Sequence, residues 1–183
     1  FDVGGSAEVD GCFMAAGLNS VGIQSAGGVG WVLADWIVDG HPPMDLSAVD
    51  IRRTMPFQSE PAYLDARISE SLGLLYAMHW PFRQYESARN VRMSPFHERY
   101  AAAGAVFGEV AGWERPNWFA TGGEHPAYEY SWGKQNWFEA SGRECDAVRN
   151  RVGLFDQSSF AKWYVEGPDA LAVLNWISGN QID

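Results

Sequence analysis

A short apolar run ends at Gly17. Gly22, Gly27, Gly28 and Gly30 follow, and apolar residues then recur at Val29, Leu33, Trp36 and Ile37, the spacing of one buried helix face. A strand, a glycine-studded turn and then a helix is an order that aims unpaired backbone N–H groups at a ligand. The positive end of the helix dipole favours an anionic or electron-rich group there. Two familiar versions of this turn are excluded. Gly28-Val-Gly30 is followed by Trp-Val-Leu, so the third glycine of a dinucleotide fingerprint is missing. Ser25 has Ile23 where a hydrolase nucleophile elbow requires glycine. Spacing alone fits equally a loop that cradles a ligand and a tight connection whose glycines are structural.

Other reactive groups are scattered. His41, His79, His97 and His125 share no metal-ligand spacing. His79 continues the apolar face of its helix, and His97 falls in the first turn of another, where exposure is expected. Trp113, Trp118, Phe119, Tyr128, Tyr130, Trp132, Trp137 and Phe138 stand irregularly among Gly, Pro and Asn. Neither a helix nor a strand period fits them. They suit a long connection pinned by buried rings better than a stacking platform for a flat ligand. Asp50-Ile-Arg-Arg53 and Arg89-Asn-Val-Arg-Met-Ser-Pro95 could pair charges at the surface.

With 13 basic and 23 acidic residues, the net charge of -10 repels a phosphate backbone, so nucleic acid is not an expected partner. No apolar run approaches the roughly 20 residues of a membrane span. Cys12 and Cys145, far apart, suit reduced core thiols and a reducing compartment.

Along the chain, His41-Pro-Pro ends the first helix and starts a connector, with a subdomain boundary between 41 and 60. Pro61 to His79 forms an amphipathic helix with Leu64, Ile68, Leu72 and Leu75 inward. Ser94-Pro95 starts a helix that runs to Ala103, followed by a strand over Ala105 to Glu109. Ser141 to Glu144 has capping-box form and opens a helix to Val152. A strand over Phe160 to Glu166 and a helix from Pro168 follow, with Leu171, Leu174 and Ile177 inward. The fold class expected is mixed α+β and α/β. The chain starts at Phe1 and stops just after a helix, and is expected to be an internal piece.

The residues then carry a resemblance. Ala16-Gly-Leu-Asn-Ser-Val-Gly-Ile-Gln-Ser-Ala-Gly-Gly-Val-Gly30, Leu33-Ala-Asp-Trp-Ile-Val-Asp-Gly40 and Val49-Asp-Ile-Arg-Arg53 resemble the end of the FAD-binding domain in the dimethylglycine dehydrogenase and sarcosine dehydrogenase family. Arg92-Met-Ser-Pro95, Gly104-Ala-Val-Phe-Gly108 and Gly112-Trp-Glu-Arg-Pro-Asn-Trp-Phe119 resemble its central domain. Asn136-Trp-Phe-Glu139, Arg151-Val-Gly-Leu-Phe-Asp-Gln-Ser-Ser-Phe-Ala-Lys162 and Val165-Glu-Gly-Pro-Asp-Ala170 resemble the start of the folate-binding domain shared with the glycine-cleavage aminomethyltransferase.

The resemblance implies three segments: the end of an FAD-dependent oxidoreductase domain over 1–50, its central domain over 51–110, and the start of an aminomethyltransferase-like domain over 111–183. It implies a flavoenzyme that oxidises the N-methyl group of dimethylglycine, sarcosine or a related amine. The resulting iminium carbon passes to tetrahydrofolate, and an electron-transfer partner takes the electrons. Confinement would keep the iminium from hydrolysis. Asn19, Ser20, Val21, Gly22, Ile23 and Gln24 would run beside the flavin, with the amides of Val21 to Ile23 favouring charge on the reduced ring. The groups that handle the amine would precede Phe1, and the catalytic carboxylate of the folate domain would follow Asp183. Asp156 is read as a structural acid. The family setting is the cytoplasm of a bacterium or the mitochondrial matrix of a eukaryote. Two rivals remain: an interaction module that binds no flavin, and an amine oxidase that never uses folate, against which the Arg151 to Lys162 segment argues.

Overall fold

The structure, a computed structural model, describes residues 1–182. They divide into two compact units, Phe1–Ala77 and the chain from Met78 onward.

The first unit opens with a hairpin, β1 (Asp2–Gly5) paired antiparallel with β2 (Phe13–Ala16) in the register Asp2↔Ala16 to Gly5↔Phe13. The 18-residue helix α1 (Gly22–Asp39) follows and stops at Gly40. Gly40 sits at φ 77° and donates its N–H to the Trp36 carbonyl at 2.9 Å, the left-handed cap that only glycine adopts without a Cβ penalty. Trp36 centres the packing. Its ring lies edge-on to Phe13 at 6.0 Å, and the Arg52 guanidinium covers it at 5.1 Å. Gly4, at φ 131°, leaves it room, for a Cβ there would lie 2.7 Å from the indole. Asp50 accepts the Arg52 amide at 2.8 Å and the Arg52 guanidinium, so Arg52 is fixed over the ring by its own turn. Helix α2 (Pro61–Leu74) completes the unit.

Four expectations change here. The turn is shorter than foreseen, because α1 begins at Gly22 and takes Gly27, Gly28 and Gly30 into its interior. Its buried pair is Val32 and Trp36, while Ile37 is exposed. In α2 the period is right, but Leu64, Ile68, Leu72 and Leu75 stay exposed; Arg67 is the buried residue, over the Tyr63 ring at 5.3 Å. His79 lies past the end of that helix.

The second unit is built on the hairpin of β3 (Ala105–Val110) and β4 (Trp113–Phe119), with a register shift at Val106/Phe107. Its two-residue loop, Ala111-Gly112, has φ of 51° and 78°, the mirror-image turn whose twist suits a hairpin. Helix α3 (His97–Ala102) packs on β3 and α4 (Phe138–Asn150) on β4, while α5 (Ala170–Ile177) follows in the chain with Leu171 and Ile177 exposed rather than inward. Val106, Trp118 and Ala140 are the core, with Tyr128 and Trp137 packed against them.

The aromatic segment is thus divided. Trp113 to Phe119 is a strand, contrary to the sequence expectation, and Trp118, Tyr128 and Trp137 serve packing. Helix α4 starts three residues before Ser141, and Glu144 does not cap it; its carboxylate accepts the Phe119 N–H at 2.8 Å and ties α4 to β4. Phe160 to Glu166 is not a strand. Both cysteines are free and exposed, so neither is a core thiol. His97 is not exposed but half-buried, stacked on Phe107 at 4.3 Å.

Candidate functional site

The mouth of α1 is built by a turn over residues 17–21. Val21 donates its N–H to the Leu18 carbonyl at 3.3 Å, and the first bond of the helix proper runs from Ser25 N–H to Val21 O at 3.0 Å. The amides of Gly22, Ile23 and Gln24 therefore have no acceptor among the described residues. No side chain caps this end, and no acidic residue stands in its first turn. Ile23 is fully exposed. Ser20, at φ 66°, bonds to the Tyr76 hydroxyl, and Asn19 and Gln24 are exposed beside it. Of the donors singled out in the sequence, that of Val21 is occupied by its own chain. Those of Gly22 and Ile23 are open, joined by Gln24.

The second unit contains a groove of about 500 Å³ between β4, α4 and the 152–160 loop. Tyr100, Trp113, Arg115, Phe119, Asp156 and Phe160 line it. The Arg115 guanidinium lies over the Phe160 ring at 5.0 Å. Partial burial pushes the Asp156 carboxyl up, but hydrogen bonds from Ser158 and Ser94, with the charge of Lys162, outweigh it and hold Asp156 below the ordinary carboxylate range. Tyr100 is pushed up by burial and by the Asp156 charge. The groove combines flat apolar walls with the Arg115 cation and the carboxylates of Glu114, Glu144 and Asp156. It can stack a planar ligand and bond to its edge.

Sequence reasoning missed one feature of this unit. Arg89 does pair, but its partner is Glu114, whose carboxylate is buried while the guanidinium is half-buried. Asp50 pairs within its own turn, with Arg52. A Glu between Trp113 and Arg115 gives no sign in the sequence that it points inward.

Residues 39–94 match the FAD dependent oxidoreductase central domain, and residues 96–183 match the GCVT N-terminal domain. The chain belongs to the dimethylglycine and sarcosine dehydrogenase family. A 4-methylaminobutanoate oxidase (formaldehyde-forming) of Paenarthrobacter nicotinovorans is 50% identical over 183 residues, which is 100% of this chain and 22% of that protein. The mitochondrial sarcosine dehydrogenase of Homo sapiens is 32% identical over 200 residues, 96% of this chain and 22% of its own length. The mitochondrial pyruvate dehydrogenase phosphatase regulatory subunit of Mus musculus is 33% identical over 186 residues, 99% of this chain and 21% of its own. The chain thus spans about a fifth of the length of these relatives. Among the described residues, no helix of this family member is long and apolar enough to cross a membrane.

Proposed function

We propose that this chain forms one wall of the flavin site and the start of the folate domain in an enzyme that oxidises an N-methylated amino acid. The observation that carries the reading is the ordered pair of family matches behind an open helix mouth. The residues present fit FAD. The unpaired amides of Gly22, Ile23 and Gln24, at the positive end of an 18-residue helix, offer donors to an electron-rich ring edge. FAD, when bound, accepts the hydride equivalent from the N-methyl carbon. The part of this chain is electrostatic, because fixed donors favour negative charge at the ring without reorganising. The compartment would be the cytoplasm in a bacterium and the mitochondrial matrix in a eukaryote, with an electron-transfer protein or oxygen receiving the electrons.

The one-carbon unit passes to tetrahydrofolate, for which the aromatic groove of the second unit supplies one wall. The name of the 50% identical relative supports a second outcome, in which the iminium carbon is hydrolysed and leaves as formaldehyde. One experiment separates them. The longest natural reading frame that carries this chain is purified and checked for bound flavin. It is then turned over with sarcosine, dimethylglycine and 4-methylaminobutanoate, with and without tetrahydrofolate. Methylenetetrahydrofolate at the expense of formaldehyde is the result expected; formaldehyde alone supports the second outcome. A colourless protein that oxidises none of these amines overturns the flavoenzyme reading.

A further inference from the structure

Arg115 stands on β4 opposite Gly108, so the strand ladder fixes its backbone, and the residue is half-buried. Its guanidinium lies over the Phe160 ring at 5.0 Å. That contact answers the charge but uses none of the five N–H donors. Among the described residues, Arg115 makes no hydrogen bond and no ion pair. Arg89, in the same unit, shows the contrast, because it spends its donors on Glu114 and on the carbonyls of Tyr85 and Phe107. A guanidinium is a rigid planar fork, and a half-buried fork without acceptors is matched by a ligand group with two adjacent oxygens. The groove is also polarised. Arg115 is the one cation among its lining residues, and Glu144 and Asp156 line it as well. The charge of Glu114 is answered by Arg89, while Glu144 accepts the Phe119 N–H at 2.8 Å and Asp156 the Ser158 N–H at 2.9 Å, neither of them meeting Arg115. A ligand carboxylate is repelled by those two acids and has one favourable place in the groove, at Arg115.

We propose that Arg115 binds the carboxylate end of the one-carbon acceptor, with Phe160 beneath it holding the fork in place. The inference rests on the folate reading above and adds an orientation to it. Tetrahydrofolate carries a pterin at one end and a glutamate at the other. The glutamate supplies the paired oxygens that the fork lacks, and the donor-rich pterin is left for the aromatic walls and the acids. Because the backbone of Arg115 is fixed by the ladder and its side chain rests on a ring, little has to be ordered when the carboxylate arrives.

The test uses the whole flavoprotein that carries this chain and two acceptors, tetrahydrofolate and tetrahydropteroate, which keeps the reacting nitrogens and lacks the glutamate. Formation of the methylene adduct during amine turnover gives a KM for each. The parent should show a KM for tetrahydropteroate about tenfold above that for tetrahydrofolate, the scale of one charge-assisted hydrogen-bonded pair. R115M should raise the tetrahydrofolate KM by about the same factor and move that for tetrahydropteroate by less than about twofold, so that the preference disappears. R115K, a point charge without the fork, should fall between the two. Bound flavin reports that each variant folds, and the preference of the parent is read without any variant. A parent with no preference, an unchanged tetrahydrofolate KM in R115M, or a rise of both KM values alike overturns the carboxylate role while leaving the folate reading intact. A parent that makes only formaldehyde with either acceptor overturns the folate reading, and this inference with it.

Discussion

Glu114, its side chain only 1% exposed, accepts from Arg89 Nε at 2.8 Å, from a second Arg89 nitrogen, and from the Asn90 amide at 2.7 Å. Arg89 spends its other donors on the carbonyls of Tyr85 at 2.9 Å and Phe107 at 3.2 Å. A guanidinium and a carboxylate this well surrounded offset much of their desolvation, but Glu114 without Arg89 would be a buried charge without its counter-ion.

Glu114→Gln is therefore expected to cost about 1–3 kcal/mol, the range for leaving a buried hydrogen-bonding partner unsatisfied, because the Arg89 side chain that it strands is still 23% exposed. Burial pushes the Glu114 carboxyl up, but the Arg89 and Asn90 hydrogen bonds win and its pKa is lowered. A lowered folded-state pKa gives stability that is complete above the unfolded value, about 4.3, and fades as pH falls below it. Thermal unfolding followed against pH should show the parent losing stability on acidification and the variant starting lower with a shallower acid slope. Parallel slopes would remove Glu114 from that dependence.

The same pair defines a folding unit. Residues 78–94 are bound to the hairpin by Arg89, by the Glu109 N–H to Gln84 Oε1 bond at 3.2 Å, and by the Arg92 N–H to Gly112 O bond at 3.0 Å. A polypeptide starting at residue 78 should protect the amides of β3 and β4 from hydrogen exchange better than one starting at 96, with the same downstream sequence in both. Equal protection would mean that the 78–94 segment is not needed to hold the hairpin.

Gly108 is tightly enclosed. A Cβ there would lie 2.1 Å from Asn117 Nδ2 and 2.6 Å from Gln84 Oε1. Both side chains are held, Asn117 by Tyr128 Oη at 2.7 Å and Gln84 by the Glu109 amide at 3.2 Å. Gly108→Ala should cost about 1–3 kcal/mol, as overpacking does, measurable as a lower denaturant midpoint with an unchanged slope.

How much of this was legible depended on whether a residue's environment was local. The β2–turn–α1 order and β3 were readable because apolar periodicity and glycine punctuation sit within the segments themselves. Strand β4 was not, since Pro116 marks an edge strand and Glu114 faces inward only because Arg89, 25 residues earlier, meets it. The amphipathic period of α2 was visible, yet its stripe is uncovered and Arg67 is buried instead; periodicity tells which residues share a face, not what lies opposite. At the helix mouth, the sequence pointed to the amides of Val21 to Ile23, and the open ones are those of Gly22, Ile23 and Gln24. The sequence could not show the Leu18 carbonyl taking the Val21 amide, which is a matter of turn geometry.

Gly28 tests what the helix-interior glycines are for. Its Cβ position has nothing within 4 Å, so Gly28→Ala should stabilise this chain alone by up to about 1 kcal/mol, the helix-propensity difference. In the whole flavoprotein the same methyl is expected to lower flavin content if the isoalloxazine passes close to this face. Stabilisation with full flavin occupancy would mean that the cofactor does not reach Gly28.

Ile23 tests the dipole argument directly. It is fully exposed in the first turn of α1, where neither an acid nor a cap stands. Ile23→Asp should therefore stabilise the isolated chain by about 0.3–1 kcal/mol through the helix dipole. Beside a flavin the same carboxylate repels the negative charge of the reduced ring, so the reduction potential of the whole enzyme should fall and flavin reduction by amine should slow. Both effects should weaken with added salt in proportion to the exposure of the site. A variant that gains helix stability while keeping the parent's potential would place the flavin away from the mouth of α1.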